Sequence, residues 1–458
     1  MLWFTLLSIF VAGVQCTTLL DCIKHVSRSR PLYRASTSYL QLDWIRCIYC
    51  QPEQIHLSFG EKPNDMVVTW STPWETTSVV HYGAGHLNNV ANGDSWWFTD
   101  GGLRRRKQRM HRVVLEDLEF NTTYLYNVGS EYGWSERFSF TTPPAGQDWV
   151  VSAAIYGDLG NENAKSLPYI QIETQDDLYD FVLHVGDFAY DLHSKNAHVG
   201  DQFMRQIQPI AAYVPYMTCP GNHEAAYNFS NYKNRFSMPG DTDGLYYSWN
   251  LGPLHLIAFS TELYYDRSNG WFERLKQQWR WIQQDLIEAT KPENRETRPW
   301  IIMYGHRPMY CSSTKNECDL PDVPQRAGQG LPEPGYGLEP MLKKFGVDLV
   351  IFGHEHSYER SLPMYDHKVY NSSGDDPYVN PLAPVHLITG SAGCREHTYK
   401  IDKNKPWIAF SSSDYGYTKF KTHNKTHLHF EQVSVDKQGK VIDSFWLVRE
   451  KHVAYQLP

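Results

Sequence analysis

Five short runs in this sequence place a glycine directly ahead of a side chain capable of polar chemistry. They are Gly157-Asp158-Leu159-Gly160, Gly186-Asp187-Phe188-Ala189-Tyr190, Gly221-Asn222-His223-Glu224, Gly305-His306-Arg307-Pro308 and Gly353-His354-Glu355-His356. Carboxylate, imidazole, amide and phenol groups are the oxygen and nitrogen donors that hard and borderline metal ions take. Singly, each has a plainer use. An Asp after Gly serves as a turn residue or helix N-cap, His306 as a core histidine, and His354 with His356 as an exposed strand pair. Position argues against the plain uses, because every run follows an apolar segment of strand length.

Those segments are Val150–Tyr156, Phe181–Val185, Val214–Thr218, Trp300–Tyr304 and Val347–Phe352, with a further strand at Val385–Thr389. They alternate with longer helical patterns, which predicts an α/β layered core of sheets flanked by helices. Leu275, Trp279, Ile282 and Leu286 fall on one helical face. So do Leu338, Met341, Leu342 and Phe345, and Gly346 is a stop signal after them. In such folds, sites form at the carboxyl ends of strands. Glycine there permits a sharp turn and close backbone approach, so five strands can aim polar groups into one crevice. From about residue 405 the chain returns to β-like alternation, read as closing the core, and the whole unit spans 148–445.

Residues 51–145 carry short alternating runs between turn signals, as in Met66–Trp70, Thr123–Val128 and Arg137–Thr141. They predict an all-β sandwich of fibronectin type III-like size, with Trp70 and Tyr124 as its pattern residues. Thr142-Pro143-Pro144-Ala145-Gly146 is a stiff linker after it. The basic run Arg104–Lys107 reads as a solvated hairpin loop. Residues 17–50 carry no clear pattern.

The 458 residues fit two or three domains at roughly 100–200 residues each. With 43 basic against 51 acidic residues, the net charge of -8 gives no global attraction to nucleic acid. Residues 1–16 are an apolar run too short to span a bilayer and fit a secretory signal peptide. No later stretch looks like a membrane span. Sequons begin at Asn121, Asn228, Asn371 and Asn424 and support secretion, whether by export or delivery to lysosomes. Of the eight cysteines, Cys16 leaves with the signal. Cys311 and Cys318 close a short polar loop and are the expected disulfide, while Cys47-Ile48-Tyr49-Cys50 has the spacing of a redox or zinc half-motif but reads first as a local bridge or part of an irregular extension.

In order and identity, the five runs resemble the signature of the metallophosphoesterases, and more narrowly that of the purple acid phosphatases. The resemblance covers residues 51 to about 445. Most metallophosphoesterases have Asp-x-His in the first run, where this chain has Gly160. Tyr190 supplies the replacement donor, which the resembling family uses as a phenolate on iron(III). The resemblance thus implies an iron(III) site at Asp158, Tyr190 and His356, bridged by Asp187. It implies a second site at Asn222, His306 and His354, suited to iron(II), zinc or manganese.

Such a centre implies hydrolysis of small phosphate monoesters at acidic pH, with a metal-bound hydroxide as nucleophile. His223 is the candidate for protonating the leaving group and holding the phosphate, or else for orienting a ligand. Glu224 is the candidate to orient His223, and Arg307 faces either phosphate or solvent. Two alternatives share the sequence: a phosphodiesterase or nucleotide pyrophosphatase on the same core, and a non-catalytic secreted binding protein. The second expects eroded ligands, and all seven positions carry donors. Oligomeric state is not legible.

Overall fold

The computed structural model of the chain describes residues 9–11, 14–16, 50–314, 318, 323–372 and 374–457. The expected signal segment 1–16 and the extension 17–50, including Cys47, lie largely outside them. Residues 53–141 form two antiparallel sheets. One orders Glu53–Phe59, Met66–Thr72, Lys107–Leu115 and Asp94–Thr99. The other is built on Val79–Ala84 and Thr123–Ser130, with Asn89–Asn92, Gly133–Trp134 and Phe138–Thr141 beside them. Trp70 is fully buried in this unit, stacked on His111 at 5.0 Å. The Tyr124 hydroxyl accepts the Glu119 N–H at 3.0 Å and pins the turn before its own strand.

The rest of the chain is a stack of helices, sheet, sheet and helices. A six-stranded sheet orders Tyr216–Cys219, Phe181–Val185, Ser152–Tyr156, Gly416–Asn424, His427–Ser434 and Lys440–Val448. Its first three strands are parallel, and Gly416–Asn424 joins antiparallel to Ser152–Tyr156. The seven-stranded sheet orders Tyr247–Leu251, Leu254–Ala258, Trp300–Tyr304, Leu349–Phe352, Val385–Thr389, Tyr358–Ser361 and Ile408–Ser412. It is parallel from Leu254–Ala258 through Val385–Thr389.

Side chains alternate between two layers, as a strand requires. Phe181, Leu183 and Val185 share the layer between the sheets with Trp300, Ile302, Tyr304 and Ile351. Val182 instead packs under the helices Leu167–Gln175 and Ser194–Ala211. Ile301 and Met303 pack under Trp271–Ala289 and Glu339–Phe345. Because both faces are buried, these strands read as continuous apolar runs rather than alternating ones. Leu275, Ile282 and Leu286 are buried as one face, and half-buried Trp279 donates its indole N–H to the Gly337 carbonyl at 3.1 Å. Gly346, at φ +62°, ends the helix Glu339–Phe345.

Three strands begin two residues later than the apolar pattern predicts, each because a nearby group takes a ladder hydrogen bond. The Val151 N–H donates to Thr422 Oγ1 at 2.9 Å. Val214 and Val347 donate to Ile210 and Leu342, closing the preceding helices. The basic run also departs from expectation. Arg104 and Arg105 are exposed, but Arg106 leaves the hairpin to pair with buried Asp201, which also binds Arg235 at 2.9 Å.

His386 sits in Val385–Thr389, buried against Phe352 and Tyr310. Neither of its ring nitrogens has a hydrogen-bond partner. Burial, then Arg326, pulls its pKa down to about 3. Between pH 6.5 and 3 the unfolded chain therefore holds a proton that the folded chain refuses. The stability tied to neutral His386 is full above 6.5 and falls on acidification. We expect His386→Phe to raise the denaturant-unfolding free energy by about 2 kcal/mol more at pH 5 than at pH 7, at about 1.4 kcal/mol per pH unit. An equal gain at both pH values would contradict this.

Candidate metal centre

All five glycine-led runs leave the same edge of the stack. Strand register aligns Val185 with Cys219 in one sheet and Phe352 with Ile388 in the other. The two sheets are stitched at this edge, where the Gly157 N–H donates to the Thr389 carbonyl at 2.8 Å. His306 Nδ1 also lies 2.9 Å from the Val185 carbonyl.

The corners are tight. Asp158, Asp187, Tyr190 and His354 all have left-handed backbone, with φ of +59°, +53°, +47° and +66°. Non-glycine residues rarely adopt it, at a cost of about 1–3 kcal/mol each, so surrounding structure must hold them there. Glu224 does much of this holding. Its buried carboxylate accepts the backbone N–H groups of Asp187 (2.8 Å), Phe188 (3.0 Å) and Gly221 (2.9 Å), joining the second and third runs. Asp158 Oδ2 accepts the His354 N–H at 2.8 Å, joining the first and fifth. Asp187 Oδ1 accepts the His223 N–H at 3.0 Å. The approach leaves no room for a side chain. A carbon added at Gly186 would lie 2.4 Å from His306 Nδ1, and one at Gly221 would lie 2.3 Å from Asp187 Oδ1.

The seven donor residues meet in two adjoining groups. Tyr190 Oη is 3.0 Å from Asp158 Oδ1 and 2.9 Å from His356 Nε2, and the last two atoms are 3.5 Å apart. His306 Nε2 is 3.1 Å from Asp187 Oδ2, 3.2 Å from Asn222 Oδ1 and 3.3 Å from His354 Nδ1. Donors sharing one ion at about 2.0–2.2 Å stand roughly 3–3.5 Å apart, so both groups have the spacing of a coordination shell. Asp158, Asp187, Tyr190, His306 and His356 are buried, while Asn222 and His354 are partly open.

Electrostatics favour positive charge here. Burial disfavours the charged form of His306, but Asp187 outweighs it and leaves the pKa at about 10. For His356, burial is likewise outweighed by Asp158 and Cys394, giving about 11. Burial, then Asp158 and Asp187, push the Tyr190 phenol well above its ordinary value. Each group is thus poised to trade a proton for a cation.

His223 flanks the first group, with its ring 4.4 Å from that of Tyr190 and its Nε2 3.9 Å from Asp187 Oδ2. Its partner is Asp191, not Glu224 as the sequence suggested: Nδ1 lies 2.5 Å from Asp191 Oδ1. Glu224 is occupied by backbone N–H groups. Burial lowers the His223 pKa, but Asp191, Asp187 and Glu224 raise it further, to about 9. Arg307 is only partly exposed. Its Nε lies 3.0 and 3.1 Å from the two Glu262 oxygens, and its guanidinium rests on Tyr265 at 4.6 Å.

Sequence reasoning also missed the group behind His356. Its Nδ1 faces the His397 carbonyl at 2.9 Å and Cys394 Sγ at 3.2 Å, and its ring stacks on Tyr399 at 4.3 Å. The only signal was proximity of Cys394 and His397 to a strand end. Cys311 and Cys318 form a disulfide with Cα atoms 5.4 Å apart, and Cys318 Sγ touches buried Glu355 at 3.4 Å. A cavity of about 190 Å³ opens beside Tyr190, with Gly160, Ser194, Lys195 and Arg395 in its lining.

Comparison with known proteins agrees along the chain. Residues 52–142 match the purple acid phosphatase N-terminal domain, 152–358 the calcineurin-like phosphoesterases, and 383–444 the iron/zinc purple acid phosphatase-like protein C. The chain is 53% identical over 408 residues to acid phosphatase type 7 of Danio rerio, covering 88% of this chain and 92% of that protein. It is 50% identical over 405 residues to acid phosphatase type 7 of Homo sapiens, covering 87% and 91%. Its fold is similar to the solved structure of a purple acid phosphatase from yellow lupin (Lupinus luteus) seeds, with TM-score 0.72 and 24% identity over 87% of this chain and 75% of that one. The strand-end donors, the paired β and α/β units and these likenesses agree: the chain belongs to the purple acid phosphatase family.

Proposed function

We propose that this protein is a secreted glycoprotein that hydrolyses phosphate monoesters in acid at a centre of iron(III) and a divalent ion. Asp158, Tyr190 and His356 would hold the iron. Asn222, His306 and His354 would hold zinc, iron(II) or manganese, with Asp187 between the two. The observation that carries this is the position of Tyr190 Oη between Asp158 and His356. A phenol so buried among carboxylates surrenders its proton only to a hard, highly charged ion, and iron(III) is harder and more highly charged than zinc, iron(II) or manganese(II).

When bound, such a pair supplies two Lewis acids that clamp a phosphate and acidify a water. The chain's own residues do the rest. The backbone ties through Glu224, Asp158 and Asp187 hold the donors in place without rearrangement. His223, kept protonated by Asp191, holds a proton at Nε2 beside the centre for the leaving alkoxide, and its charge attracts the phosphate. Secretion is supported by the exposure of all four sequon residues, Asn121, Asn228, Asn371 and Asn424. Among the described residues, no helix is long and apolar enough to cross a membrane. The intact donor set favours an enzyme over a binding protein, and a comparison of monoesters with diesters separates the remaining alternative.

Metal analysis and a visible spectrum of the secreted protein, with phosphatase activity followed against pH, test the proposal directly. Asp187→Ala should lose both metal and activity while its circular dichroism stays native, and an active, metal-bound variant would refute the assignment. Tyr190→Phe should abolish the phenolate-to-iron charge-transfer band, and a wild type lacking that band rules out iron–tyrosinate. Asp191→Asn should lower kcat by about 10–100-fold with metal content unchanged, the size expected when a general acid is weakened. Loss of metal in that variant would instead place Asp191 in the ligand scaffold.

A further inference from the structure

The cavity beside Tyr190 has no task in the mechanism above, yet two cations line it. Lys195 and Arg395 share its wall, and it measures about 190 Å³. Among the described residues, neither side chain has a hydrogen bond or an ion pair. Other cations near the centre are committed: Arg106 and Arg235 pair with Asp201, and Arg307 pairs with Glu262.

Three strand ends build the cavity. Gly160 and Glu162 follow Ser152–Tyr156, Tyr190 and Lys195 follow Phe181–Val185, and Arg395 follows Val385–Thr389. It therefore lies on the same carboxyl edge as the donors, across the seam between the two sheets. Gly160, where most metallophosphoesterases have histidine, adds no side chain to the wall. The backbone beside each cation is fixed. Ahead of Arg395, Cys394 donates its N–H to the Leu159 carbonyl at 2.9 Å and accepts from Asn163 Nδ2 at 2.7 Å. Around Lys195, the Ser194 N–H donates to the Asp191 carbonyl and the Ala197 N–H to the His193 carbonyl, both at 3.0 Å.

The lining carries one carboxylate, Glu162, against the two cations. Asp191 lies within reach of the Arg395 charge but is committed to His223. The excess of positive charge suits an anionic group, and arginine and lysine are the side chains that recognise phosphate. A phosphate ester loses its second proton near pH 6, so it keeps about one negative charge even in acid. The cavity is smaller than the roughly 300–1,000 Å³ of sites that enclose a whole small ligand. It takes one group of a molecule seated elsewhere, and Tyr190 is the wall it shares with the donors. We propose that the cavity receives a second phosphate of the substrate, held by Lys195 and Arg395, so that the protein selects compounds carrying two phosphoryl groups. This rests on the metal-centre reading above. A diphosphate, with its groups joined through oxygen, and a bisphosphate, with them on separate carbons, share this chemistry.

The test is calorimetry on the metal-loaded protein with ligands that are not hydrolysed: methylphosphonate, methylenediphosphonate and pentane-1,5-bisphosphonate. The wild type should bind one of the two doubly charged ligands at least about fivefold more tightly than methylphosphonate, the upper end for a single exposed ion pair. That exceeds the roughly twofold that two equivalent ends give by statistics. Preference for the short ligand assigns diphosphates, and preference for the long one assigns bisphosphates. Lys195 and Arg395 are both exposed, so Lys195→Ser and Arg395→Ser leave the core untouched. Each should cut the preference, the double variant should remove it, and raised salt should weaken it in the wild type. A double variant whose preference stays within twofold of wild type would overturn the proposal. A wild type that binds metal and methylphosphonate but prefers neither longer ligand would overturn this proposal alone. A wild type that binds no metal would overturn the reading of the centre and this proposal with it.

Discussion

The two aspartates at the carboxyl edge divide their oxygens, and the site depends on that division. Asp158 gives Oδ2 to the His354 backbone N–H and keeps Oδ1 facing Tyr190. Asp187 gives Oδ1 to the His223 N–H and keeps Oδ2 facing His306. In each case one oxygen fixes a neighbouring corner while the other stays with the donors. A buried carboxylate is costly unless its lone pairs are used. Here the same bonds that make burial tolerable also set the spacing of the centre. Removing either side chain would release a corner as well as an oxygen that faces the other donors, so each carboxylate does both at once.

The left-handed backbone follows from the same demand. Five strand ends must turn inward within a space where an added carbon at Gly186 or Gly221 would strike His306 or Asp187. Glycine meets that need at the head of each run, but the donors themselves must also turn, and Asp158, Asp187, Tyr190 and His354 have no such freedom. Their conformations persist because Glu224 and the two aspartates hold backbone N–H groups on both sides of the crevice. Rigid strands buried on both faces anchor the far ends, so the strain has no easy route of release.

Much of this was legible in the sequence because burial on two faces writes a strand as an unbroken apolar run. A glycine and a polar residue at its end then mark the turn. Phe181–Val185, Trp300–Tyr304 and Val385–Thr389 match the observed strands residue for residue. Starts slipped where a hydrogen bond came from elsewhere, as Thr422 supplies one to Val151 from 271 positions away. The exchange of Asp191 for Glu224 as the partner of His223 has a similar cause. Glu224 is the nearer in sequence, but three backbone N–H groups from two strand ends already fill its carboxylate. Those groups converge only in three dimensions. Arg106 was misread because its neighbours Arg104 and Arg105 are solvated, and nothing local announces the buried Asp201 that singles it out.

Asp201 also explains why the β-sandwich belongs with the centre. It lies on the helix Ser194–Ala211, whose start follows directly on the loop carrying Tyr190 and Asp191. Arg106 reaches it from the sandwich and Arg235 from the helix Ala226–Arg235, which follows directly on the run carrying His223. Arg235 is fully buried and also binds Gln54 of the sandwich at 3.0 Å. The ring of Tyr227 covers Gly101 and meets His193 edge-on at 5.6 Å. A buried charge that loses one partner destabilises its surroundings far more than the pair itself contributes. Detaching the sandwich would therefore strand Asp201 and Arg235 behind the two segments that present Asp191 and His223. Through the backs of these two helices the all-β unit braces the segments whose side chains meet at 2.5 Å, Asp191 Oδ1 against His223 Nδ1.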